Sequence, residues 1–85
     1  MNIMTYYWAS SRSDNRVIAR SYKTSGGWVF EEGEMIYNRN DPVTNLCEFF
    51  VARMCRIHKK SELTGEIKNL EKKYGELRVE EVEYR

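Results

Sequence analysis

Up to Tyr37 the apolar residues come in short runs of β-formers separated by polar and glycine-bearing stretches, whereas from Val43 to Tyr74 they recur at every third or fourth position. That change of pattern limits the fold more than any other feature, because short β-rich runs between turn signals suit strands and the second spacing suits helices that bury one stripe. Strands first and helices later read as an α+β chain whose strands form one antiparallel sheet.

Residues 2–9 are rich in β-formers, carry neither Gly nor Pro, and run into the polar cluster Ser10 to Asn15, which predicts a strand and a turn. Residues 16–24 place Ile18, Arg20, Tyr22 and Thr24 on one face and Val17, Ala19 and Ser21 on the other, as a second strand does. Ser25-Gly26-Gly27 supplies the positive φ angles of a tight hairpin, and residues 28–31 resume the β pattern. Glu32-Gly33 is expected to turn the chain again, into a short fourth strand over residues 34–37, and the polar stretch 38–41 closes the meander.

Asp41-Pro42 has the chemistry of a helix start: Asp accepts free backbone N–H groups, and Pro at the first helical position loses no bond it needed. Apolar residues then fall at Val43, Leu46, Cys47, Phe50, Val51, Met54 and Ile57, predicting an amphipathic helix with Phe50 in the core. A second set, Leu63, Ile67, Leu70 and Tyr74, is out of phase with the first, so the helix breaks between His58 and Ser61. Ser61 is the expected cap of the second helix and Gly75 its left-handed end. The tail alternates at Leu77 and Val79 and then, out of phase, at Val82 and Tyr84, as a strand with a bulge at Glu80-Glu81 would. Its charges suit a sheet edge. The expected architecture is therefore an antiparallel sheet of four to five strands, an N-terminal meander plus a C-terminal strand, packed on a two-helix pair in one domain over residues 1–85.

Composition limits the chemistry. With 41% hydrophobic and 32% charged residues the chain is too apolar for disorder. No run approaches the roughly 20 apolar residues of a membrane span, and Met1 to Trp8 lack a basic region and a small-residue cleavage site. The expectation is an intracellular, cytoplasmic chain with no membrane partner. Within one helix, Cys47 and Cys55 would stand about 12 Å apart, too far for a mutual disulfide.

No residue set makes an active site, so neither enzyme activity, a cofactor nor a metal is expected. His58, the only histidine, sits beside Lys59 and Lys60 with no partner that would make it a general base. Cys55 and His58 supply two ligands where zinc takes three or four. Glu31, Glu32 and Glu34 crowd a turn and read as solvated carboxylates. Ser25-Gly26-Gly27 leads into a strand and not into a helix N-terminus, so it is no phosphate loop.

Charge is distributed in blocks although the net charge is only +1. Arg12, Arg16, Arg20 and Lys23 against Asp14 leave residues 1–27 basic, residues 28–50 are acidic, Arg53, Arg56, Lys59 and Lys60 make residues 51–60 basic, and the tail is acidic again. Such clustering suits a complementary partner surface. Arg12, Arg16, Arg20, Tyr22, Lys23 and Trp28, interleaved with Tyr6, Tyr7 and Trp8 on neighbouring strands, form the expected partner-binding face; Arg53, Arg56, Lys59 and Lys60 form a secondary basic face on the first helix. Rings mixed with arginine are what protein hot spots use. They also stack and neutralise single-stranded RNA or DNA, which makes nucleic acid the alternative partner. The acidic blocks oppose that alternative. The chain reads as a small macromolecule-binding protein, an inhibitor or adaptor of the kind that virus and phage accessory proteins supply.

Overall fold

The structure, a computed structural model, describes residues 4–37 and 47–84. Four strands come first: β1 (Met4–Ser11), β2 (Val17–Thr24), β3 (Gly27–Tyr37) and β4 (Cys47–Ile57). One helix, α1 (Glu62–Tyr74), leads to β5 (Leu77–Tyr84). The five strands form a single sheet in the order β4-β3-β2-β1-β5, and every neighbouring pair is antiparallel. The expected two-helix pair is thus corrected: one helix packs on a five-stranded sheet.

The segment read as the first helix is strand β4 where it is described. Its expected start at Asp41-Pro42, with Val43, Leu46 and the polar stretch 38–41, lies outside the described residues. The helix-like spacing comes from apolar residues on both faces of β4, Phe50 and Ile57 toward α1 and Val51 and Met54 away from it, combined with a bulge. Glu32 pairs with Arg53 but Gly33 pairs with Val51, so Ala52 is an extra residue in β4. An extra residue shifts the alternation by one. Side chains three apart, such as Val51 and Met54, then share a face and mimic a helical stripe. Phe50 is 54% exposed, not in the core.

Glu32-Gly33 is likewise not a turn. The strand expected over 34–37 exists as the continuation of β3, and Gly33 is where the bulged strand crowds against it. A Cβ at Gly33 would overlap the carbonyl oxygen of Phe50 and press on Val51. The hairpin at residues 25–27 forms as expected, with Gly27 at φ 115° and the Thr24 hydroxyl donating to the Gly27 carbonyl at 2.9 Å.

A second bulge lies between Ala9 and Ser10, which pair with Ala19 and Val17 and leave Ile18 as the extra residue. Ile18 is buried on the side of α1 together with Ala9, Ala19, Phe30, Ile57, Leu63, Leu70 and Leu77. Small side chains on the central strands, Ala9, Ala19 and Ser21, let the helix approach closely. Ser21 loses nothing by burial, because its hydroxyl donates to the Val29 carbonyl at 2.7 Å.

The stripe Leu63, Ile67, Leu70, Tyr74 faces the sheet as its spacing predicts, and Gly75 ends the helix at φ 84° with its N–H bonded to the Glu71 carbonyl. Ser61 occupies the cap position, but its hydroxyl makes no capping bond. A carboxylate pins the far end of α1: Glu32 accepts from Lys73 Nζ at 3.1 Å, Tyr74 Oη at 3.0 Å and Arg53 Nε at 3.2 Å. Burial alone would push the Glu32 carboxyl up, but these three donors outweigh it and hold it below its ordinary value. The bulge expected at Glu80-Glu81 is absent. β5 pairs with β1 without a shift from Leu77 to Tyr84, so Leu77 and Val79 face the helix while Val82 and Tyr84 face away.

Gly33→Ala is expected to lower the free energy of unfolding by roughly 2 kcal/mol through overpacking. Gly65→Ala, at a helical site with open space around it, should raise it by about 1 kcal/mol; urea titration checks both. Because its folded-state pKa is depressed, ionised Glu32 stabilises the fold above the ordinary value of 4.5 and that stability is lost as pH falls through the lowered one. Glu32→Gln should therefore flatten the acid limb of a stability–pH curve below about pH 4.5.

Candidate interaction face

Strand pairing assigns each side chain to one side of the sheet. Tyr6 opposes Tyr22 and Val82, Trp8 opposes Arg20 and Glu80, Arg20 opposes Glu31, and Glu31 opposes Met54. All of these lie on the side away from α1, where they meet Phe49 and Tyr84.

Their geometry is a connected ring cluster. Tyr6 stacks on Tyr22 with centroids 4.7 Å apart, and Tyr84 meets Tyr6 edge-on at 5.2 Å. Trp8 contacts Tyr6 at 5.9 Å and Phe49 at 5.8 Å. At the centre, the Arg20 guanidinium lies 4.8 Å from the Phe49 centroid and 5.7 Å from those of Trp8 and Tyr22. Its Nε also donates to Glu31 Oε1 at 2.6 Å. Glu31 is only 5% exposed, so this is a shielded ion pair roofed by aromatic rings. Burial, with the Glu31 carboxylate beside it, pushes the Tyr22 phenol up and keeps it neutral. Met54 and Tyr84 stand out to solvent at 57% and 47% exposure.

Of the residues expected on this face, Arg20 and Tyr22 are here with Tyr6 and Trp8, whereas Tyr7 lies on the helix side, packed against the core. Arg12 lies in the turn after β1 and pairs with Glu76 at 3.4 Å. Arg16 precedes the Ile18 bulge, which breaks its phase with Arg20, and its guanidinium lies 5.9 Å from the Tyr74 ring on the helix side. Lys23 and Trp28 oppose each other on the helix side, where they border an open groove of about 480 Å³ with Tyr7 and Lys60.

The secondary basic face does not exist as one surface, because the helix that would have carried it is a strand. Arg53 faces α1 and pairs with Glu32 at 3.2 Å and Glu66 at 3.8 Å. Arg56 lies on the opposite side, its Nη1 donating to the Gly26 carbonyl at 3.5 Å. Lys59 and Lys60 occupy the turn before α1, with the Lys60 ammonium 4.8 Å over the Tyr7 ring.

Sequence reasoning missed Glu31, Phe49, Met54 and Tyr84 as members of the cluster. One signal pointed to Tyr84: the apolar residues of β5 change face at Glu80-Glu81, as they do when a sheet carries apolar side chains on both sides. Elsewhere, the Cys55 thiol is half-buried, and burial with Glu66 nearby pushes its pKa up, so it stays protonated. His58 is exposed. Among the described residues no helix is long and apolar enough to cross a membrane.

Comparison of the chain with protein-family models, with curated proteins and with solved structures finds no match.

Arg20→Ala would leave the Glu31 carboxylate buried without its partner. It is expected to cost roughly 3 kcal/mol in chemical denaturation, whereas Arg16→Ala, at an exposed position, should cost less than about 0.5 kcal/mol.

Proposed function

We propose that this chain is a binding protein, an inhibitor or adaptor that docks a protein partner through the uncovered face of its sheet. The observation that carries the reading is the cluster of Tyr6, Trp8, Tyr22 and Phe49 gathered around Arg20, with Met54 and Tyr84 exposed at its margins. Aromatic rings supply large contact area at low entropic cost, and arginine with aromatics is the usual composition of a binding hot spot. An exposed methionine adds an adaptable apolar contact.

The state of the cations favours protein over nucleic acid. Phosphates are bound by cations free to exchange their counterions. On this face Arg20 is engaged by Glu31 and Arg78 by Glu80 at 3.2 Å, and Arg56, at the edge, bonds the Gly26 carbonyl, so two of these three cations are already neutralised. What is left is a nearly neutral aromatic surface, suited to an apolar patch on another protein. Binding rather than catalysis is also the reading that fits a protonated Cys55 and an exposed His58.

Met4 and Tyr84 oppose each other at the solvent-facing end of the cluster and are both exposed, so Met4→Ser with Tyr84→Ser tests the face without disturbing the core. In nuclease-treated lysate the double variant should keep its melting temperature and lose about tenfold or more in partner capture relative to wild type, a difference of about 1.4 kcal/mol. Oligothymidine titrated by fluorescence anisotropy should show no salt-sensitive binding. Capture that disappears with nuclease, or tight oligonucleotide binding that weakens steeply with salt, would replace this reading with the nucleic-acid one.

A further inference from the structure

The sheet ends in two unlike strands. At one edge, β5 carries Arg78, Glu80, Glu81 and Glu83, the kind of charge that keeps an edge from pairing with other chains. At the other, β4 is 11 residues long, and Phe50, Val51 and Met54 stand out to solvent. Among the described residues no strand pairs with its outward side. Of its charged groups, Arg53 is already engaged by Glu32.

The bulge gives this edge a particular complement. Before it, Phe49 and Val51 lie on the uncovered face, opposite Met35 and Gly33; after it, Met54 and Arg56 do, opposite Glu31 and Val29. Ala52 borders the concavity shared with Glu32 and Lys73, on the helix side. A regularly alternating strand pairs with both halves only by leaving Ala52 unopposed, as β3 does. A second β4, antiparallel about a two-fold axis between Ala52 and Arg53, leaves nothing unopposed. Ala52 then faces Arg53 of the second copy, Val51 faces Met54, Phe50 faces Cys55, Phe49 faces Arg56 and Glu48 faces Ile57. In every pair both side chains point to the same side of the sheet, and no like charges are directly opposed; the two Arg53 side chains lie diagonally across the axis, each already paired with its own Glu32 at 3.2 Å. Val51 with Met54 is an apolar contact, and Phe49 with Arg56 sets a ring against a guanidinium. Moving the axis onto Arg53 would oppose two guanidinium groups directly, and moving it onto Ala52 would set side chains of opposite faces side by side.

We propose that the chain forms a homodimer by antiparallel pairing of β4 with β4, joining two five-stranded sheets into one of ten strands. The seam runs along the sheet edge and takes Phe49 and Met54 from the margin of the ring cluster, but leaves Tyr6, Trp8, Arg20, Tyr22 and Tyr84 untouched, so this dimer does not depend on the partner-binding reading; its axis is perpendicular to the sheet and leaves both ring clusters open on the same side.

Sedimentation equilibrium tests it. Wild type is expected at twice the chain mass at high concentration and to dissociate on dilution. Val51→Lys with Met54→Lys sets lysines against each other across the seam and should weaken association at least tenfold, with an unchanged far-ultraviolet circular dichroism spectrum. Val51→Glu with Met54→Lys sets opposite charges together at the same two positions and should restore the dimer. A wild type that is monomeric at every concentration overturns the proposal. So does a dimer indifferent to Val51→Lys with Met54→Lys, or a Val51→Glu with Met54→Lys variant as monomeric as the double lysine. Hydrogen exchange on the unmodified chain gives a second reading independent of folding of the variants: amides of residues 48–57 should exchange more slowly as concentration rises, and exchange that ignores concentration overturns the proposal. The Met4→Ser with Tyr84→Ser variant should dimerise like wild type, which separates failure of the seam from failure of the partner-binding face.

Discussion

A helix is about 10 Å across, and strands in a sheet lie about 4.8 Å apart. One helix therefore covers two or three strands, and the described residues hold one helix for five strands. The covered strands are the central ones: the buried residues under α1 are Ala9, Ile18, Ala19 and Phe30, from β1, β2 and β3. What the helix cannot reach is left to other devices. The reverse side is closed partly by its own rings around the Arg20–Glu31 pair, β5 is closed by charge, and the β4 edge by neither. The uncovered face and the edge that no described strand pairs are two consequences of the same shortage of cover.

Much of the fold was legible in the residues. The hairpin at Gly26-Gly27 was marked by turn chemistry that few other conformations want, and the stripe Leu63, Ile67, Leu70, Tyr74 with Gly75 behind it was long and regular enough to specify its helix. β4 was not legible, because it carries apolar residues on both faces and one extra residue turns a period of two into spacings of three across Ala52, and a single sequence holds no sign of which backbone produces them. The Glu32-Gly33 pair misled for a related reason. Glycine answers to turns and to close backbone approach alike, and here the approach of Phe50 decides.

The candidate site was legible in part. Arg20 and Tyr22 lie two apart on an uninterrupted stretch of β2, so simple alternation placed them together. Arg16 was separated from them by the Ile18 bulge, and Lys23 sits on the opposite parity. The basic group Arg53, Arg56, Lys59 and Lys60 dissolved with the helix that was to carry it. The partnership of Arg20 with Glu31 depends on cross-strand register, which no local pattern encodes.

The pairing of β1 with β5 joins Met4 to Tyr84, from the two ends of the described residues. Every other strand pair is between neighbours in sequence. During synthesis the meander can therefore assemble as it emerges, while β1, with Tyr6 and Trp8 on it, waits with one flank unsatisfied until the final strand arrives. Closure over so long a loop is the slow, entropically costly event of folding. For that interval the nascent sheet has two open flanks instead of one, and it is then most exposed to wrong pairing with a neighbouring chain.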